Sequence, residues 1–257
     1  MAQPLQPTNE AGVLITFEGG EGAGKTTHIR FLAEALQGRG REVLCLREPG
    51  GTAIGEQVRA VLLSTDNDEM APEAELLLYE AARAQLVGQV IAPALARGCV
   101  VLCDRFTDST LAYQGAGRGL DESFIERASA FACQGLVPDR TVLLSTGGTA
   151  TDGLMRATHR GAADRLEEAG LEFHIRVNDA FQRMAAAHPQ RIRCVVSDKR
   201  KSVTARAVFR AVADLFPWMN EPDAFPEGFF ERLDVSRGAS LPKLGARAAD
   251  FDQAGGR

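Results

Sequence analysis

The stretch GGEGAGKTT at residues 19–27 constrains this chain more than any other. It fits G-x-x-x-x-G-K-[ST], with Gly19, Gly24, Lys25 and Thr26 in the fixed positions. The apolar run VLITF precedes it, and residues 25–39 carry Ile29, Leu32, Ala33 and Leu36 at helical spacing. The motif therefore sits between a buried strand and a helix N-terminus, where its chemistry requires it. Glycines let backbone N–H groups turn inward without a Cβ in the way of a phosphate. The helix start adds unpaired donors and a partial positive charge. Gly19, Gly20, Glu21, Gly22, Ala23, Gly24, Lys25, Thr26 and Thr27 are thus candidate contacts to a nucleoside triphosphate, which the motif alone does not identify further. Lys25 reaches β- and γ-phosphate oxygens, and the Thr26 hydroxyl is placed to ligate Mg²⁺.

Around this loop the pattern alternates. Strand candidates at 13–18, 42–47, 99–104, 140–145 and 191–197 are separated by helical stretches near 25–39, 54–64, 73–97, 120–135, 152–187 and 203–216. Such alternation, with strands this apolar, predicts a three-layer α/β/α domain on a five-stranded parallel sheet, the P-loop NTPase fold. Ligands then bind beyond the carboxyl ends of the strands. The domain is expected over 13–216, after a flexible start at 1–12. Residues 217–257 contain four prolines, several glycines and no long periodic run, and read as an irregular tail outside the core. Its Trp218, Phe225, Phe229 and Phe230 are the alternative signal, for docking on a surface or a partner.

The 257 residues carry a net charge of −5, which speaks against a broad basic face for polymeric nucleic acid. No apolar run is long enough to span a membrane, and MAQPLQPTNEAG lacks the features of a secretion signal. The five cysteines show no C-x-x-C spacing and read as free thiols of a cytoplasmic protein.

Three further segments offer chemistry. REPGGT at 47–52 follows a strand, and with Glu48 and Pro49 it is a candidate wall of a monophosphate site, although many β–α turns contain Pro-Gly-Gly. In PEAELLLYEAARAQ, Tyr79 and Arg83 are four apart and share a helix face, a ring to stack on a base and a guanidinium to bond its edge; a core tyrosine beside a surface arginine is the plainer reading. The strand VVLC ends at Asp104-Arg105-Phe106. Asp104 there can hold water on Mg²⁺, and Arg105 can grip a phosphate bidentately. Ser109, Tyr113 and Gln114 follow and offer a hydroxyl, a ring and an amide to a nucleoside.

LCDRFTDSTLAYQGAGRG resembles the signature of the thymidylate kinases. FEGGEGAGKTT, REPGGT, ELLLYEAARAQ, PDRT and GLMRATHRGAADRLE follow in that family's order, over about residues 13 to 215. The resemblance implies transfer of a phosphoryl group from MgATP to thymidine monophosphate (dTMP) by a homodimer. It implies that Tyr79 stacks on thymine, Arg83 reads the base edge, Arg105 holds the acceptor phosphate, and Ser109, Tyr113 and Gln114 line the nucleoside pocket. Family members supply an arginine to the transferring group from the P-loop or from a lid. Gly22 and Ala23 imply the lid layout, with Arg160 foremost and Arg156 and Arg165 in support. Glu21 matches an acidic position near the acceptor and the metal. Two residues depart from the pattern: Ser145 stands where members usually carry Asp, and Thr158 where some carry another arginine. Two other readings stay open, a P-loop kinase for a different acceptor and a nucleotide-binding regulatory module without turnover.

Overall fold

The computed structural model describes residues 11–20, 22–146 and 165–235. Five strands, β1 (Val13–Glu18), β2 (Val43–Arg47), β3 (Val100–Asp104), β4 (Arg140–Ser145) and β5 (Ile192–Val196), form one parallel sheet in the order β2-β3-β1-β4-β5. These are the five apolar runs expected, with bounds that differ by at most a residue. β1 lies at the centre because it is apolar on both faces: Leu14, Ile15 and Phe17 are all fully buried. The loop after β1 therefore opens at the middle of the carboxyl edge.

Helices cover both faces. α1 (Lys25–Gly38) packs beside β1 and β3 with Ile29, Phe31, Leu32 and Leu36 turned inward. α2 (Ala53–Leu63) starts with the Thr52 hydroxyl accepting from the Gly55 N–H, an ordinary N-cap. α3 (Pro72–Leu86) begins at a proline, which needs no partner for its missing N–H. The single stretch expected at 73–97 is broken by a π-helical turn, Val87–Ile91, before α4 (Ala92–Ala96). After β3, α5 (Thr107–Thr110) runs into a second π-helical turn, Leu111–Gly117. α6 (Glu122–Ala132) is capped by Asp121, whose carboxylate accepts from the Phe124 N–H. α7 (Leu171–Ala187) starts after Gly170, whose φ of 89° ends the preceding 3₁₀ turn. The earlier part of the helical stretch expected at 152–187 lies outside the described residues. α8 (Lys201–Val212) follows β5.

The reading of the chain after 216 needs correction. Residues 217–235 are irregular, with a 3₁₀ turn at Pro217–Asn220 and a short α9 (Arg232–Val235), but they are part of the core. Met219, Phe230 and Leu233 are buried in the same cluster as Phe31, Phe209 and Phe216. Prolines and glycines prevented a periodic pattern, while closely spaced aromatic residues supplied the apolar area that docks the segment. Residues 236–257 lie outside the described residues. All five cysteines are free thiols.

Candidate active site

At the centre of the carboxyl edge, the backbone bends at Gly19 with φ 122°, where a Cβ would run into the Leu144 carbonyl oxygen. Gly24, at φ 91°, is the N-cap of α1 and is equally reserved for glycine. Lys25 is buried, with Nζ donating to the carbonyls of Gly19 and Gly20, both at 3.1 Å. Lys25 thus lies folded back over the loop. The Thr26 hydroxyl donates to the Asp104 carboxylate at 3.2 Å, which brings together the two expected metal contacts, one from the first turn of α1 and one from the end of β3. Glu21 lies outside the described residues.

A cavity of about 300 Å³ runs from this loop toward β2 and β3. Its walls include Gly22 to Thr27, Glu48, Pro49, Tyr79, Arg83, Asp104, Arg105, Ser109, Tyr113 and Gln114. The P-loop from Gly22 to Thr27 and the acceptor candidates therefore share one space, whereas Gly19 and Gly20 do not line it. His174 and Leu166, unmarked in the sequence, also line it.

Arg105 adopts φ 72°, a left-handed conformation that costs a non-glycine residue about 1–3 kcal/mol. Its backbone N–H donates to the Phe17 carbonyl, its Nη1 donates to Ser109 Oγ at 3.2 Å, and its guanidinium lies 4.9 Å from the Tyr113 ring centroid. The turn is held by Glu18, a residue that sequence reasoning passed over. Glu18 is fully buried and accepts from the Phe106 N–H at 2.8 Å, the Ser109 N–H at 3.3 Å and the Ser109 hydroxyl. Burial, and then the charge of Asp108, push its carboxyl up to about 7, against the opposing pull of Arg105 and the Ser109 and Phe106 hydrogen bonds. Its one sequence signal is an acid at the end of an otherwise apolar strand.

Arg83 is almost wholly buried and tied on three sides. Nε and Nη2 share one Glu48 oxygen at 2.9 and 2.8 Å, Nη1 donates to Glu80 at 2.7 Å, and Nη2 donates to Thr110 Oγ1 at 2.8 Å. Two carboxylates bracket one guanidinium, so Arg83 keeps its charge. Burial and the neighbouring Glu80 push Glu48 up to about 7 despite Arg83. Among the described residues, Glu48 Oε1 is buried without a hydrogen-bond partner. A polar ligand group in the cavity would satisfy it.

Gln114 donates to Glu75 at 2.8 Å. Glu75 also pairs with Arg118 at 3.0 Å and with Arg165 at 2.6 Å. Burial raises Glu75, but the Arg118 and Gln114 hydrogen bonds and the charges of Arg118 and Arg165 outweigh it, so its carboxyl stays below the ordinary value. Arg165 also donates to the Leu62 carbonyl at 3.1 Å. It is an anchor on Glu75 rather than a lining of the cavity. Arg156, Thr158 and Arg160 lie outside the described residues.

The other side of the P-loop is built differently. Ser197, after β5, donates its hydroxyl to the Ala23 carbonyl at 2.9 Å. His28 packs against Gly24, and burial, then the charge of Lys201, lower its pKa to about 4, so its ring is neutral at pH 7.

Known proteins show the same architecture. The family model described as thymidylate kinase matches residues 17–207. The thymidylate kinase of Geobacter sulfurreducens is 46% identical over 212 residues, covering 80% of this chain and 99% of its own. That of a Synechococcus strain is 55% identical over 180 residues, covering 70% and 84%. The crystal structure of thymidylate kinase from Ehrlichia chaffeensis, 30% identical, superposes with a TM-score of 0.64 over 79% of this chain and 98% of that one. A P-loop, an arginine-bearing strand end and one shared cavity thus occur on a chain whose match spans most of its length, and the chain belongs to the thymidylate kinase family.

Proposed function

We propose that this chain transfers the γ-phosphoryl group of ATP to dTMP, giving the diphosphate and ADP. The observation that carries this reading is the single cavity shared by the P-loop and by Tyr79, Arg83, Arg105 and Gln114. A phosphate monoester is largely ionised at neutral pH, its second pKa being about 6, so its oxygen attacks without a strong base. The chemical problem is repulsion. Two unit charges ~4 Å apart repel by about 1 kcal/mol in water and about 4 kcal/mol at an intermediate dielectric.

This chain's residues divide that task. The P-loop N–H groups and Lys25 hold the donor phosphates, which requires Lys25 to turn from the Gly19 and Gly20 carbonyls. Arg105, pre-set by Glu18 and Ser109, holds the acceptor phosphate. Tyr79 stacks on the base, while Arg83, Gln114 and Glu48 present polar groups around it. Ser109 and Tyr113 fix Arg105, one by a hydrogen bond and one by ring contact. The Thr26 hydroxyl and Asp104 carboxylate fit Mg²⁺, which supplies charge neutralisation at the phosphates. Arg160, with Arg156, is assigned to the transferring group, and Glu21 to the region between acceptor and metal, by family resemblance.

We also infer a homodimer. Adjacent helices α2, α3 and α6 present Ile54, Val61, Leu77, Phe124 and Phe131 to solvent, Phe131 at 88% exposure. Burying such a face excludes water from apolar surface. Phe131→Glu is expected to shift the sedimentation coefficient to that of a monomer. Among the described residues, no helix is long and apolar enough to cross a membrane.

Coupled ADP release across nucleoside monophosphates, with and without Mg²⁺, tests the reaction. Turnover greatest with dTMP and lost without the metal is expected. Equal turnover of all monophosphates, or none, would overturn the assignment.

A further inference from the structure

Residues 217–235 lie beyond the family match, which ends at 207, and they pack on α1, which begins at the P-loop, and on α8, which follows β5. The Phe229 ring lies tilted 4.8 Å from that of Phe31 of α1, and Phe225 lies 5.2 Å from Phe209 of α8. Polar contacts frame these rings. Arg39 donates to the Ala224 carbonyl at 2.8 Å, Arg232 pairs with Glu34 at 2.8 Å, and Arg206 pairs with Glu231 at 2.6 Å. At the end of the segment, Asp234 accepts from the Ser202 N–H at 3.0 Å and from the Ser202 hydroxyl at 2.6 Å. Ser202 is in the first turn of α8, whose own cap residue, Arg200, makes no side-chain capping bond. Asp234 therefore supplies the cap from a distant part of the chain.

The start of α8 leads directly to the P-loop. Asp198 N–H donates to Thr204 Oγ1 at 2.9 Å, and Ser197 Oγ donates to the Ala23 carbonyl. The strand order places the acceptor cavity on the β3–β2 side of the loop. The opposite side, at the carboxyl ends of β4 and β5, carries residues 197–200, with the Ser197 N–H donating to the Ser145 carbonyl.

We propose that residues 217–235 are a built-in clamp for the donor nucleotide, in which Asp234, through Ser202, holds the start of α8 and the 197–200 loop against the P-loop. This rests on the phosphoryl-transfer reading above. Asp234 is a positioning residue that acts through Ser202.

The test uses the full chain with Asp234→Ala, Ser202→Ala and the double variant. Each single change is expected to raise the ATP KM and the equilibrium Kd for ATP about fivefold, the loss of one helix cap. The dTMP KM should stay as it was, the double variant should add little to either single one, and Asp234→Asn, which keeps an accepting oxygen at the same reach, should restore much of the affinity. Unchanged ATP affinity, or ATP and dTMP KM values rising together, would overturn the clamp. The Kd for ATP is measured without acceptor, so a wrong acceptor assignment, seen as poor dTMP turnover by the unaltered chain, leaves this comparison standing. Removal of residues 217–235 should lower thermal stability by uncovering Phe31 and Phe209; because it also removes core residues, the point substitutions decide the question.

Discussion

On the β2–β3 side of the P-loop the chain holds its site with buried charge, whereas on the β4–β5 side it uses backbone bonds, a helix cap and aromatic packing. Arg83 sits between Glu48 and Glu80, and Glu75 gathers Arg118, Arg165 and Gln114, all nearly closed to water except the partly exposed Arg118. Opposite them, Ser197 meets Ala23 and Asp234 caps α8, while phenylalanines fill the space behind α1 and α8. On the proposed reading, the difference follows from what each side does. Selecting one base and one monophosphate requires fixed donors and acceptors, since a site left with unpaired buried groups rejects the wrong ligand. Gripping a triphosphate requires backbone N–H groups held in a fixed curve, for which rigid packing suffices.

Substitutions can break or sharpen this contrast, and the largest effect is expected at the arginine assigned by family resemblance to the transferring group. Arg160→Ala should lower kcat by ~10³–10⁵ with little change in the acceptor KM, because an arginine on the transferring group acts in the transition state. Unchanged turnover in a steady-state assay would remove Arg160 from that role.

The next effect separates the sides by stability. Arg83→Ala should cost about 3–5 kcal/mol of unfolding free energy, since it strands two buried carboxylates. Phe230→Ala should cost a similar ~3–5 kcal/mol on the other side. Urea denaturation measures both. Only the Arg83 variant should also lose acceptor affinity; a matching loss in the Phe230 variant would erase the distinction.

Glu18 gives the contrast a pH signature. Its folded pKa of about 7 is above the ordinary carboxyl value, so the stability tied to its protonation is present at low pH and falls as pH rises toward and through 7. The shift corresponds to about 3 kcal/mol. Glu18→Gln cannot titrate, so its stability relative to the parent chain should improve steadily from acid to neutral pH. Parallel denaturation profiles at every pH would refute this. The smallest expected effect is that of Arg105→Ala, about 1.5–3 kcal/mol in kcat/KM for the acceptor, the worth of a hydrogen bond to a charged group. It should appear in the acceptor KM as well as in the rate, and a normal acceptor KM would contradict the role.

Much of this was legible in the sequence wherever the signal was local. Each strand is a short apolar run, and the P-loop announces itself by residue type and spacing. Tyr79 and Arg83 were readable as one helix face because they are four residues apart. What escaped notice depends on partners distant in the chain. Glu18 matters because β1 ends beside the Phe106–Ser109 turn, some ninety residues later. Glu75 matters because Arg118 and Arg165 converge on it from other elements. Residues 217–235 carry no helical or strand period, so their packing was visible only as a density of aromatic residues.

The central claim is that one continuous cleft holds both nucleotides, each gripped at its own end. A single compound joining adenosine to thymidine through a chain of phosphates tests this directly by equilibrium binding. It should bind more tightly than ATP or dTMP alone, because the second contact becomes intramolecular, and Lys25→Met and Arg105→Ala should each weaken it. Affinity no better than that of the tighter single nucleotide would contradict the account.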